Sequence, residues 1–233
     1  MMSKKTLTLQ QKIESKKAVV GILGLGYVGL PLAREFAEAG VKVLGFDIDE
    51  KKVKKLNSGK SILKTVSNAS VKQMVASKKF SATTNMARMK SVDAVLICVP
   101  TPLTENREPD MQFVEISCYT IARYLRKGQL ISLESTTYPG TTRELMKPIL
   151  EASGLKAGKD FYLAYSPERE DPGNKHFTTK TIPKVVGGLT PKCKDLATKL
   201  YSFAIDTMVP VSSLEAAESA KIVENGYRSI KIP

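Results

Sequence analysis

The chain has 233 residues, 42% hydrophobic and 25% charged, with 36 Lys and Arg against 23 Asp and Glu and a net charge of +13. That composition supports a packed core, and no apolar run approaches the ~20 residues of a spanning helix, which excludes a helical membrane protein. Three widely spaced cysteines (Cys98, Cys118, Cys193) and a lone His176 exclude a zinc or disulfide framework.

The first seventeen residues are polar and lysine-rich without the apolar segment of a secretory signal, so they read as a polar leader on a cytoplasmic protein. Residues 18–23 form a short apolar run suited to a buried strand. A glycine turn follows, then a helical pattern over 30–39 stopped by Gly40, then a second strand over 41–46 ending in Asp47. This is a β-α-β unit. Helices are predicted over 49–56, 68–78, 111–125, 141–152 and 191–203, and strands over 80–84, 94–99, 129–135, 161–165, 184–186 and 207–211. Alternating strands and helices imply a doubly wound Rossmann-type α/β fold with a mostly parallel sheet, here assigned to residues 18–211. A last helix opens at Ser212, whose spacing to Glu215 fits a capping box, and residues 212–233 read as the start of a connecting helix that drifts from helical pattern after Gly226.

Gly24-x-Gly26-x-x-Gly29 has the spacing of a dinucleotide-binding turn: one glycine for the tight turn, one for approach of a pyrophosphate, one for helix packing on the strand. Tyr27 and Val28 complete the turn, and the helix that follows points its partial positive charge at the phosphates. Asp47 lies 21 residues after Gly26, where a carboxylate can accept from both ribose hydroxyls and repel a 2′-phosphate, favouring NAD over NADP. A flavin turn, or one that binds nothing, is the competing reading. Thr101 and Thr136 each follow a predicted strand, where ligands bind in open α/β sheets, although a hydroxyl there can equally cap a turn. Glu168 is the acidic residue nearest the strand end in a proline-bounded loop that could otherwise be ordinary solvated chain. Lys221 and Asn225 are four apart on one helix face, an ammonium and an amide able to stabilise an oxyanion, though spacing alone allows a routine surface pair. Lysines scattered among helices and loops, with no interleaved aromatics, read as solvated faces rather than a nucleic-acid surface. Cys98, within an apolar strand, reads as a small buried hydrophobe.

Taken in order, GLGYVGLPLA from Gly24, FDID from Phe46, CVPTP from Cys98, LESTTYPGTT from Leu133, YSPEREDPGN from Tyr165, KVVGG from Lys184 and EAAESAKIVEN from Glu215 resemble the UDP-glucose/GDP-mannose dehydrogenase family over nearly the whole chain. YSPEREDPGN together with LESTTYPGTT is most similar to the branch that oxidises UDP-N-acetylglucosamine at C6. The resemblance implies an NAD-dependent oxidation of a UDP-sugar C6 alcohol to the uronate in two hydride transfers, with a cysteine trapping the intermediate aldehyde. It further implies that Lys221 and Asn225 stabilise oxyanions, Glu168 handles water and Thr136 orders water and cofactor. Gly24, Gly26, Tyr27, Val28, Gly29, Asp47, Thr101 and Thr136 are implied to line the NAD site, with no metal. Relatives of this kind are expected to continue into a uridine-nucleotide domain and to form homo-oligomers through the central helix. Against that pattern the chain is expected to be a truncated, NAD-binding half without the cysteine region. The rival expectations are a single-step dehydrogenase of the hydroxyacid kind, using Lys221 and Asn225 without a cysteine, and a non-catalytic NAD-binding module.

Overall fold

Apolar runs too short for helices and bounded by turn residues become strands buried on both faces, as a helix-covered parallel sheet requires. The computed structural model describes residues 7–105, 109–168 and 178–231, with side chains as far as residue 224 in the last helix. The strands are β1 (Val19–Leu23), β2 (Lys42–Phe46), β3 (Phe80–Thr83), β4 (Ala94–Ile97), β5 (Leu130–Leu133), β6 (Tyr162–Tyr165), β7 (Lys184–Gly188) and β8 (Met208–Pro210). Their spatial order is β3-β2-β1-β4-β5-β6-β7-β8. The first six strands are parallel, so the fold is Rossmann-type α/β as expected. β7 runs antiparallel to β6, and β8 follows β7.

One apolar layer packs α1 (Leu9–Glu14), α2 (Gly29–Glu38), α3 (Glu50–Asn57), α4 (Asn68–Ala76) and α7 (Pro191–Tyr201) on the sheet through residues such as Ile22, Leu30, Phe36, Val71 and Leu200. The opposite layer packs α5 (Gln112–Ala122), α6 (Lys147–Glu151) and α8 (Leu214–Lys231) through Phe46, Val95, Ile121, Met146 and Leu214.

Three local features differ from the sequence reading. The polar leader contains α1, opened by a complete capping box between Thr8 and Gln11, with Leu9 and Ile13 buried in the core. Asp93 secures it, taking Lys12 Nζ at 2.6 Å, Arg126 at 2.7 Å and the Val19 amide at 3.0 Å. The α8 cap is Ser213, whose Oγ accepts from the Ala216 amide, not Ser212. Glu215 turns instead to the Arg143 guanidinium at 2.6 Å. The helix also does not drift after Gly226 but continues to Lys231. A single interior glycine costs a helix about 1 kcal/mol, which eighteen residues can absorb.

The reversal at β7 positions the last helix. β7 and β8 run opposite to the first six strands, and α8 starts beside β7, with Ser213, Leu214 and Ala217 closing on Gly187, which pairs with Tyr165 at the carboxyl end of β6. A Cβ on Gly187 would lie 2.5 Å from the Ser213 carbonyl oxygen, so this crossing needs glycine.

Candidate active site

The glycine turn explains itself atom by atom. Gly24 has φ +94°, and a Cβ there would sit 2.7 Å from the Cys98 carbonyl oxygen. A Cβ on Gly29 would lie 1.9 Å from the Gly24 carbonyl oxygen, because α2 starts against the turn itself. A Cβ on Gly26 would meet nothing within 4 Å. Protein packing therefore gives no reason for glycine at 26, whereas an approaching diphosphate does. This open cradle fits the cofactor.

The turn opens onto a cleft of about 570 Å³. Gly24, Gly26, Tyr27, Val28, Asp47, Ile48 and Lys52 line one side, with Val99, Pro100, Phe113, Ile116 and Thr120 facing them. Tyr27 and Ile48 are exposed large apolar side chains at this opening. The Asp47 carboxylate is buried and oriented, accepting from the Leu25 amide at 3.1 Å through one oxygen and the Asp49 amide at 3.0 Å through the other. Each oxygen keeps a further acceptor position. Gly29 lies behind the lining, as a packing glycine. Thr101 adjoins Pro100 but is not among the lining residues. Thr136 is half-buried in a loop held by its neighbours, with Ser135 Oγ donating to the Val99 carbonyl at 2.6 Å and Thr137 donating to Thr141.

Glu168 and Lys221, far apart in sequence, meet at the carboxyl edge. Lys221 Nζ lies 3.9 Å from Glu168 Oε2, and both side chains are mostly buried. Beside them a cavity of about 20 Å³, room for one water, is lined by Val28, Glu134, Glu168 and Lys184. Val28 thus joins the cofactor turn to Glu168. Asn225 lies on α8 one turn beyond Lys221, but its side chain is outside the described residues. His176 and the acidic residues Glu170 and Asp171 also lie outside them.

Two supporting residues escaped the sequence reading. Glu134 follows directly on β5 and is 1% exposed. Its carboxylate takes Lys184 Nζ at 2.6 Å and the Tyr201 hydroxyl. Lys184 also donates to the Pro167 carbonyl at 3.0 Å and lies 5.3 Å from the Tyr201 ring centre. The turn carrying Glu168 is therefore hung from a buried ion pair. A carboxylate ending an otherwise apolar strand was the available signal. The second is Glu218, wholly buried on α8. It accepts from the Gly140 amide at 2.6 Å, and from the Thr142 amide at 2.8 Å and hydroxyl at 2.7 Å. These groups open the π-helical turn Thr141–Met146 that precedes α6, so Glu218 serves as that turn's cap from another helix. Burial pushes the Glu218 carboxyl up, against the lowering effect of these bonds.

Cys98 reaches the cleft from the end of β4, but burial pushes its thiol well above the ordinary value, with Glu134 adding to the rise. Cys118 is pushed up to about 12, also by burial first. Both behave as buried hydrophobes at neutral pH.

The Arg143–Glu215 pair gives a pH signature. The guanidinium bond lowers the Glu215 carboxyl from 4.5 to about 2. A depressed folded-state value means stability present above pH 4.5 and lost as pH falls toward 2. Both partners are more than a third exposed, so solvent screening limits the pair to about 0.2–1 kcal/mol. Glu215→Gln is expected to be less stable than the unaltered chain by this amount at pH 7 in urea titrations. The two should converge near pH 2, and a gap that persists there would remove the ion pair as its cause.

Residues 18–205 match the NAD binding domain of the UDP-glucose/GDP-mannose dehydrogenase family. The chain is 37% identical over 219 residues to UDP-N-acetyl-D-glucosamine 6-dehydrogenase of Pseudomonas aeruginosa, covering 93% of this chain and 51% of that protein. It is 34% identical over 214 residues to UDP-N-acetyl-D-mannosamine dehydrogenase of Pyrococcus horikoshii, covering 91% and 51%. Among solved structures, UDP-D-ManNAc dehydrogenase from Pyrococcus horikoshii superposes with a TM-score of 0.86 at 36% identity over 92% of this chain and 51% of that one. A ternary complex of GDP-mannose dehydrogenase from Pseudomonas aeruginosa gives 0.84 at 30% identity over 91% and 50%. The chain spans about half the length of the curated relatives it matches.

Proposed function

This chain belongs to the UDP-glucose/GDP-mannose dehydrogenase family and carries its NAD-binding domain, and from that premise we propose that it is the NAD-binding half of a UDP-sugar 6-dehydrogenase. The proposed reaction oxidises the C6 alcohol of a UDP-N-acetylhexosamine, UDP-N-acetylglucosamine first, to the uronate. The relative from Pseudomonas aeruginosa that carries that name supports this choice. The observation that carries the reading is the pairing of Glu168 with Lys221, with Glu168 also lining the cavity that Val28 of the glycine turn shares.

On this reading Gly24, Gly26, Tyr27, Val28 and Asp47 hold NAD, with Gly29 setting the turn and Thr101 and Thr136 flanking it. NAD supplies a hydride acceptor there. Asp47, anchored by two backbone amides, receives the ribose hydroxyls and turns away a 2′-phosphate. The Lys221 ammonium, with Asn225, stabilises negative charge developing on the C6 oxygen. Glu168, the residue after the Pro167 carbonyl that Lys184 holds, takes and returns the protons of a water held at the Val28–Glu134 cavity. All three cysteines are buried, so none of Cys98, Cys118 and Cys193 is assigned the aldehyde-trapping role. The domain division follows: residues 18–211 bind NAD, and 212–233 begin the connecting helix. The setting is cytoplasmic, and the full-length assembly a homo-oligomer.

Calorimetric titration with NAD, followed by UDP-N-acetylglucosamine and absorbance of NADH, tests this. NAD binding without NADH formation by these 233 residues is expected. NADH with uronate would overturn the incomplete-half reading. NADH with only an aldehyde or ketone would favour the single-step dehydrogenase, and no NAD binding would sink the assignment altogether.

A further inference from the structure

The lysines that read as scattered are sorted in space. Residues 51–92 hold eleven Lys and Arg and not one Asp or Glu, and so supply eleven of the thirteen net positive charges. The rest of the chain is nearly neutral, with twenty-five basic against twenty-three acidic residues. This stretch folds as α3 beyond its first residue, Glu50, with α4, β3 and the 3-10 turn Met86–Ser91, all at the β3 edge of the sheet. Every cation in it is exposed except half-buried Lys79.

Elsewhere opposite charges are interleaved and paired, as in Lys127 with Asp160 or Lys199 with Asp195. Here the one ion pair among the described residues joins Lys54 to Glu50. Lys51 and Lys55 repeat at i, i+4 on α3, an arrangement that works against the helix. A solvated face needs no such segregation. Protection of an edge strand would place charge on β3 itself, yet residues 80–83 carry none. The basic edge does adjoin one functional feature: Lys52 and Met86 line the cofactor cleft.

We propose that this edge is an electrostatic collector for the diphosphate cofactor, raising the rate at which it reaches the cleft without gripping it once bound. The ligand is an anionic dinucleotide, and NADH, a dianion, feels the field more than NAD. Within ~10 Å at 0.1 M salt such a predominantly basic flank acts on an approaching anion, and high salt removes it. The contribution lies in association, because charges at a rim change encounter rather than residence.

The test is stopped-flow binding of NADH, followed by its fluorescence, to the chain and to two triple variants. Lys60→Glu/Lys64→Glu/Lys72→Glu alters the basic edge at exposed positions outside the cleft lining. Lys159→Glu/Lys180→Glu/Lys192→Glu makes the same charge change at exposed positions beside β6 and β7. At ~10 mM salt the edge variant should associate roughly three- to tenfold more slowly, with an unchanged dissociation rate, and the difference should vanish near 1 M. The second variant should lose clearly less. Equal association rates for the edge variant and the unaltered chain would overturn the proposal. So would equal slowing in both variants, which would mark an effect of net charge alone. Failure of the unaltered chain to bind NADH overturns the cofactor site itself, and is seen before any variant is compared.

Discussion

Lys184→Met should lower the unfolding free energy by about 3–5 kcal/mol, among the largest losses a single side chain here can cause. The substitution removes the ammonium but leaves Glu134 almost wholly buried, with its partner at 2.6 Å gone. Taking charges out of water is repaid only while both are present, so the orphaned carboxylate sets the cost. The Pro167 carbonyl loses its donor as well, and the turn bearing Glu168 loses its suspension. Pairing the change with Glu134→Gln should recover most of the loss, because an amide needs no counter-ion and can still accept from Tyr201. Urea denaturation of the two single variants and the double variant measures this. A Lys184→Met loss below about 1 kcal/mol would show that the pair is not held at interior strength.

Gly29→Ala and Gly26→Ala should fail in opposite ways. At 29 the new methyl would sit 1.9 Å from a backbone oxygen, a separation no structure tolerates, so the turn or the start of α2 must shift. Overpacking of this kind costs about 1–3 kcal/mol or more, and the displaced amides should forfeit cofactor binding too. At 26 the methyl meets nothing, so melting should be unchanged, yet it occupies the approach of the diphosphate and should weaken NAD by ~100-fold or more. Thermal unfolding with NAD titration separates the two. A Gly26→Ala chain that binds NAD normally would mean the cofactor does not cross this turn.

The cofactor half of the site was legible in the sequence because it is local: strand, turn, helix and the next strand end are contiguous. Gly24, Gly26 and Gly29 lie in the turn between β1 and α2, and Asp47 follows β2. The Glu168–Lys221 pair was not legible from spacing, since the antiparallel β7 and the packing of α8 against it create the pair. Each residue by itself was a separate candidate, and only resemblance put the two in one site. Glu134 and Lys184 were hidden for the same reason, each looking ordinary without its partner. Thr101 and Thr136 show the ambiguity of a hydroxyl after a strand. Thr136 sits in a loop whose neighbouring hydroxyls are spent on protein partners, Ser135 on the Val99 carbonyl and Thr137 on Thr141. The choice of Ser213 over Ser212 as a cap turns on the helix starting at Leu214, a boundary that two adjacent serines do not announce.

The bidentate hold of Glu218 on the turn before α6 makes α8 a helix of fixed phase. Two backbone amides on one carboxylate leave it free neither to slide nor to spin, and Lys221 follows three residues later. One residue inserted between them would swing the ammonium by about 100° around the axis, away from Glu168, with every motif residue still present. What places the lysine is therefore an angle, carried by the count of residues between two side chains. A gap-tolerant pattern search would pass the altered chain as intact.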